Sequence, residues 1–156
     1  MNATELFFDT IRKGFNDRLE TQIENNPEIV NTKDTRGFTP LIFATYFDNK
    51  EASEILLKHK AEVDAKDASG NTALIGVSFK GNLPITELLL NSGANINATN
   101  NTGATALIFA TMYNQRAIIE LLLKYNAEKG LKDDSGNTAL HYAKEKGFKD
   151  LEKLLK

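Results

Sequence analysis

A chain of 156 residues, 41% of them hydrophobic, is long and apolar enough for one domain with its own core. Its 19 basic and 21 acidic residues are spread along the chain and leave a net charge of -2, which excludes the basic stripe that a phosphate backbone requires; no nucleic-acid partner is expected. The absence of cysteine excludes a disulfide framework, a thiolate zinc site and a cysteine nucleophile.

At the N-terminus, MNATELFFDTIRKGF mixes Glu5, Asp9, Arg12 and Lys13 around one short apolar run that includes the pair Phe7 and Phe8, and does not read as a signal peptide. No stretch of the chain reaches the roughly 18 apolar residues of a membrane span. The expectation is a soluble, cytoplasmic protein without membrane contact. Within residues 1–33, Leu6, Phe7, Phe8 and Ile11 predict one helix face, Gly14 a turn, and Leu19 and Ile23 the face of a second helix. Asp17, Arg18, Glu20 and Glu24 are left to water, and NNPEIVN begins a finger-like loop.

From Asp34 onward the chain repeats with a period of 33 residues and no insertion. The units are DTRGFTPLIFATYFDNKEASEILLKHKAEVDAK from Asp34, DASGNTALIGVSFKGNLPITELLLNSGANINAT from Asp67, NNTGATALIFATMYNQRAIIELLLKYNAEKGLK from Asn100, and the shorter DDSGNTALHYAKEKGFKDLEKLLK from Asp133. Each opens on a turn with glycine fourth. Thr39, Thr72, Thr105 and Thr138 then occupy a helix N-cap position, followed by Pro40 or by Ala73, Ala106 and Ala139, all suited to the first helical turn. These short helices are predicted to stop at Asp48, Gly81, Asn114 and Gly147, residues that tolerate a left-handed backbone. Second helices follow, with apolar faces at Ala52, Ile55, Leu56 and Leu57, at Ile85, Leu88, Leu89 and Leu90, and at Ile118, Leu121, Leu122 and Leu123. Segments such as AEVDAKDASG and ANINATNNTG have the composition of finger turns between units. Two short helices cannot bury such faces alone, so neighbouring units must stack.

The carriers TPLIFA at Thr39, TALIGV at Thr72, TALIFA at Thr105 and TALHYA at Thr138, with ILLKHKAEVDA, LLLNSGANINA and LLLKYNAE, resemble the ankyrin repeat. The resemblance implies an all-α solenoid of stacked helix-turn-helix units with β-hairpin or loop fingers, about five repeats over residues 1–156. Residues 1–33 read as an N-terminal capping repeat, 34–66, 67–99 and 100–132 as full repeats, and 133–156 as a C-terminal capping repeat. The caps follow from polar outer faces, with Lys149, Asp150, Glu152 and Lys153 shown to water in the last helix. A complete five-unit molecule with no catalytic domain attached is therefore expected. The sequence departs from the family signature where Ile42, Ile75 and Ile108 replace its histidine, kept only as His141. Lys129 and Gly130 replace the usual residues of the third finger, for which an irregular turn is expected. TALI in place of TPLH resembles bacterial members of the family.

No site chemistry emerges from spacing. His59 and His141 are two to three repeats apart with no serine or carboxylate placed beside them for a triad, and two distant histidines without cysteine lack metal-ligand spacing. The acidic pairs Asp64 with Asp67 and Asp133 with Asp134 read as turn residues, the SGNTA segments lack a phosphate loop's lysine, and the sequons at Asn2, Asn97 and Asn100 read as accidents of composition. No cofactor, metal or enzymatic activity is expected.

What the family resemblance implies is protein binding in a concave groove lined by finger tips and by the exposed ends of the first helices. The helix-end positions are Tyr46 and Phe47, Phe79 and Lys80, Met112 and Tyr113, and Glu145 and Lys146. The finger positions are Thr35, Arg36 and Phe38, Ser69 and Asn71, Thr102 and Ala104, and Ser135 and Asn137. The expected partner-binding set is Arg36, Phe38, Tyr46, Phe47, Ser69, Asn71, Phe79, Lys80, Thr102, Met112, Tyr113, Asn137 and Lys146, on a monomer. Two other readings stay open: an enzyme or small-ligand protein on the same scaffold, and a purely structural or self-associating stack.

Overall fold

In every unit the threonine after the turn glycine starts a helix. Thr39, Thr72, Thr105 and Thr138 have extended backbones, and each hydroxyl accepts the amide of the residue three ahead, Ile42, Ile75, Ile108 and His141, at 3.2 Å. One otherwise free helical N–H is satisfied in this way, an effect worth about 1 kcal/mol per cap. The computed structural model describes residues 1–156 and contains five successive helix pairs with no β-strand. The first members are α1 (Ala3–Lys13), α3 (Pro40–Tyr46), α5 (Ala73–Lys80), α7 (Ala106–Met112) and α9 (Ala139–Lys146). Their partners are α2 (Asn16–Asn25), α4 (Lys50–Lys58), α6 (Leu83–Asn91), α8 (Arg116–Lys124) and α10 (Lys149–Leu155). The first helices stop where the sequence predicts, with Asp48, Gly81, Asn114 and Gly147 all at positive φ between 55° and 83°.

The odd-numbered helices pack on one another in a first row, and α2, α4, α6 and α8 in a second. Their apolar stripes merge into one continuous core. Leu56, Leu89, Leu122 and Leu155, one per repeat, are at most 3% exposed, and burying each contributes about 1.5–3 kcal/mol. At the N-terminal end the predicted face needs one correction. Phe7, Phe8 and Ile11 are buried, but Leu6 is 49% exposed and Thr10 takes its place. Phe7 and Ile11 stand four residues apart on one side of α1, and Leu6 falls a step of about 100° off that side. The stretch Pro27–Asn31 winds into a 3-10 helix that buries Ile29 and Val30.

The fingers are turns rather than paired strands. Oδ1 of Asp34, Asp67, Asn100 and Asp133 accepts the amides two and four residues ahead at 2.9–3.0 Å, closing each turn. Adjacent turns then join through the Asn101 amide to the Ser69 carbonyl at 3.0 Å and the Asp134 amide to the Thr102 carbonyl at 2.9 Å. Glycine is demanded here twice over. Gly70 has φ 79°, and a Cβ on it would lie 2.7 Å from the Asn101 nitrogen of the next finger.

A second ladder runs along the loops after the second helices. Asn31, Asp64 and Asn97 each accept the amide of a residue in the next repeat, Glu62, Asn95 and Glu128, at 2.9, 2.9 and 3.1 Å. The following position is Gly130, which lies in the same kind of turn as Asp64 and Asn97. The irregularity expected at Lys129 and Gly130 is confined to the bond that closes the turn, which the Ala65 and Ala98 amides donate to the Glu62 and Asn95 carbonyls and which the Leu131 amide does not make to Glu128.

The second helices of the three middle repeats end in left-handed residues at equivalent positions, Lys60 (φ 70°), Gly93 (φ 88°) and Asn126 (φ 67°). Lysine gains nothing from this conformation, whereas glycine adopts it freely. Lys60→Gly is expected to raise stability by about 0.5–1 kcal/mol after the added freedom of the unfolded chain is allowed for. Urea unfolding checks this, and a loss of stability would show that the Lys60 side chain contributes more than its backbone angle costs.

Candidate functional site

The last turn of each first helix and the finger turn of its unit lie on one face of the stack, and the sequence-predicted residues divide there by burial. Tyr46, Phe47, Phe79 and Tyr113 are 48%, 44%, 39% and 50% exposed. Arg36, Ser69, Thr102 and Lys146 are also exposed, whereas Phe38, Asn71, Lys80, Met112 and Asn137 are half-buried. Met112 and Phe38 lean on the core. Ala104, at the finger position equivalent to Phe38 and Asn71, is only 3% exposed and belongs to the core itself.

These side chains connect consecutive repeats by the same diagonal step. Lys80 holds its ammonium 4.6 Å from the centre of the Tyr46 ring, donates to the Tyr46 carbonyl, and lies 3.3 Å from the Asp48 carboxylate. One repeat further, the Tyr113 ring meets Phe79 edge to face at 4.6 Å. Phe47 packs on Phe43 and Tyr46 at 4.6 and 5.3 Å. On the finger side, the Arg36 guanidinium chelates Asp34 and lies 4.7 Å above the Phe38 ring. The aromatics are therefore held in fixed positions by neighbours yet keep nearly half their area in water.

Two cavities open on this face. One, of about 540 Å³, lies between α1 and the first finger, against Glu5, Phe8, Asp9, Arg12, Arg36 and Phe43. Arg12 and Lys13 both pair with Asp9, and hydrogen bonds first from Lys13 and then from Arg12 hold its carboxyl below the ordinary range. The other, of about 280 Å³, lies between α3 and α5, lined by Phe38, Ile42, Tyr46, Gly76, Phe79 and Phe109 with Asp67, Ser69 and Asn71 on its polar side. Gly76 is responsible for this space: the equivalent residues of the other units are Phe43, Phe109 and Tyr142, and a Cβ built on Gly76 would meet nothing within 4 Å. Gly76 and Phe109 were not among the residues that the motif pattern singled out, and Ile42 was noted only as a replacement for the signature histidine. Reading the residue after the signature isoleucine or histidine down the stack, Phe, Gly, Phe, Tyr, would have exposed the gap.

In the last repeat the same position shows what a ring does there. The Tyr142 hydroxyl donates to Oδ2 of Asp133, whose Oδ1 closes the finger turn. Burial works against ionisation of Asp133, but the Tyr142 hydroxyl and the amides of Asn137 and Ser135 outweigh it and hold the carboxyl below its ordinary value. The same bond to Asp133 raises the phenol's pKa. The two histidines lie elsewhere: His59 is 3.3 Å from Glu20 on the second row, and His141 is 3.1 Å from Glu145 on α9. No cluster of three or more histidines and carboxylates is placed to hold a metal ion, and no helix is long and apolar enough to cross a membrane.

A family model described as Ankyrin repeats (3 copies) matches residues 7–100 and 75–156. No curated protein matches the chain.

The Tyr142 bond generates a pH-dependent test. Asp133 is depressed below 3.8 in the folded state, so its contribution is complete above that value and is lost as pH falls through the lower folded value. Tyr142→Phe is expected to cost about 1 kcal/mol at neutral pH. The gap between the two proteins should narrow in acid, as read from thermal melts taken at both ends of the range. A gap unchanged by acid would show that the loss is one of packing.

Proposed function

The chain belongs to the ankyrin repeat family, and on that premise we propose that it is a non-catalytic interaction module that grips a protein partner across the face of its first helices and finger turns. Ankyrin repeats are in general protein-interaction modules. The observation that carries the finer reading is the run of Tyr46, Phe47, Phe79 and Tyr113, four rings from three consecutive repeats that are fixed by mutual contacts and remain 39–50% exposed. Ordered aromatics bind at low cost because little side-chain freedom is left to lose.

Magnitudes support the assignment. A Tyr or Phe buries about 150–250 Å² in full, so four half-exposed rings supply roughly half of the about 800 Å² that each partner contributes to a standard interface. The finger residues Arg36, Ser69, Asn71, Thr102 and Asn137, with Lys80 and Lys146 at the helix ends, form the polar surround, and Met112 supplies a deformable patch between rings. The chain acts as a monomer in this reading, with one face committed to its partner.

Affinity capture from the source cell with the full chain and with a Phe79→Ala, Tyr113→Ala variant tests the proposal. Each ring is expected to contribute about 2 kcal/mol to binding, so the variant should lose the captured protein while its melting temperature stays nearly unchanged. Retention of the partner together with a large fall in melting temperature would assign these rings to the stack instead.

A further inference from the structure

Gly76 lies in the interior of α5 with a helical backbone. Neither a left-handed angle nor a close neighbour requires glycine there, and glycine costs about 1 kcal/mol against alanine in a helix. The space it leaves, about 280 Å³, sits just below the about 300 Å³ at which pockets for drug-sized ligands begin, which is the scale of one inserted side chain. Its walls are the rings of Phe109 and Phe79 and the side chain of Ile42, and its polar side carries Asp67.

Asp67 differs from its counterparts in one atom. Its Oδ1 closes the finger turn through the amides of Ser69 and Asn71, both at 2.9 Å. In the other units the second side-chain atom of this residue is also engaged: Asp34 Oδ2 by Arg36, Asn100 Nδ2 with Asn71 Oδ1 at 3.0 Å, and Asp133 Oδ2 by the Tyr142 hydroxyl. No protein donor reaches Oδ2 of Asp67. The unit that lacks the ring is thus the unit whose carboxylate has a spare acceptor, and the last repeat displays the ring that completes such a pair.

Building on the interaction-face reading above, we propose that the Gly76 cavity is a socket for a tyrosine side chain of the protein partner. The ring would lie against Phe109 and Ile42, and the phenol would donate to Oδ2 of Asp67, reproducing between two chains the contact that Tyr142 and Asp133 make within one. Phenylalanine fills the cavity but leaves the carboxylate unanswered, so the socket selects tyrosine by its hydroxyl.

Random linear peptides displayed on phage are selected on the immobilised full chain and, in parallel, on Gly76→Phe, which fills the cavity with the residue its neighbouring repeats carry and should melt no lower than the parent. The parent's pool is expected to converge on tyrosine at one position, and a synthetic peptide from it to bind Gly76→Phe about thirtyfold more weakly. Its counterpart with phenylalanine for that tyrosine should bind the parent about tenfold more weakly. Asp67→Asn should reduce that tenfold preference, because a neutral amide donor replaces the carboxylate acceptor, while preserving the turn, since Asn100 closes the same turn in the next repeat. Convergence on arginine or on no residue, equal binding to Gly76→Phe, or a pool without binders overturns the socket. Peptides that lose binding on Tyr113→Ala but not on Gly76→Phe overturn the socket while leaving the interaction face standing; peptides indifferent to both substitutions overturn the face as well.

Discussion

Helices of seven to eleven residues, as these are, lie below the length at which an isolated helix holds together in water. Each exists because its apolar side is closed by the other helix of its own repeat or by helices of an adjoining one. The column Leu56, Leu89, Leu122 and Leu155 and the column Leu41, Leu74 and Leu107 are the physical form of that dependence, since every member is buried in one core that runs through successive repeats. A core built this way has one requirement, that successive units keep the same spacing. The unbroken period of 33 meets it.

Hydrophobic columns alone would tolerate sliding, so polar columns fix the register. Asn49 caps α4 through the Ala52 amide and reaches back to the Ile11 carbonyl, and Gln115 reaches back to the Phe79 carbonyl, both at 3.0 Å. Asn82 caps α6 and bonds to Asp48 at 2.9 Å. Such a bond forms at one relative position of two repeats and is lost at any other. Small hydroxyls buried between the rows return their hydrogen bonds to their own helix, Thr45 to Leu41, Ser78 to Leu74 and Thr111 to Leu107, and so need nothing from across the interface. Since core and ladders together secure the stack, the position held by Phe43, Gly76, Phe109 and Tyr142 is free to vary. A missing ring there opens a cavity without breaking a column.

The same division explains the surface. Residues at the ends of the first helices contact one another across repeats, as Tyr113 does Phe79 and Lys80 does Tyr46, but none of these contacts closes the core. They hold rings in place without hiding them. A rigid, half-exposed aromatic strip and an adjoining polar row of finger residues therefore come from the geometry of stacking itself, and the identity of each ring is what distinguishes this chain from another with the same period.

How much of this was legible in the letters follows from the range of the forces involved. Thr39, Thr72, Thr105 and Thr138 as caps, Asp48, Gly81, Asn114 and Gly147 as helix stops, and the leucine runs were readable because caps, backbone angles and 3.6-residue periodicity act within a few residues of the chain. Leu6 was misplaced because a run of three apolar residues does not say which two face inward until the neighbouring helix is present. Met112 and Ala104 stand at positions the repeat register marks as helix end and finger, yet Met112 leans on the core and Ala104 is buried in it, which the register alone does not reveal. The sequence by itself determined the period, the helix boundaries and the family, because each rests on local chemistry repeated in register. Only the tertiary structure decided that Lys80 is spent on Tyr46, that four rings stay half in water, and that the gap at Gly76 faces a carboxylate with an open acceptor, because each depends on side chains that are brought together only once the units have folded and stacked.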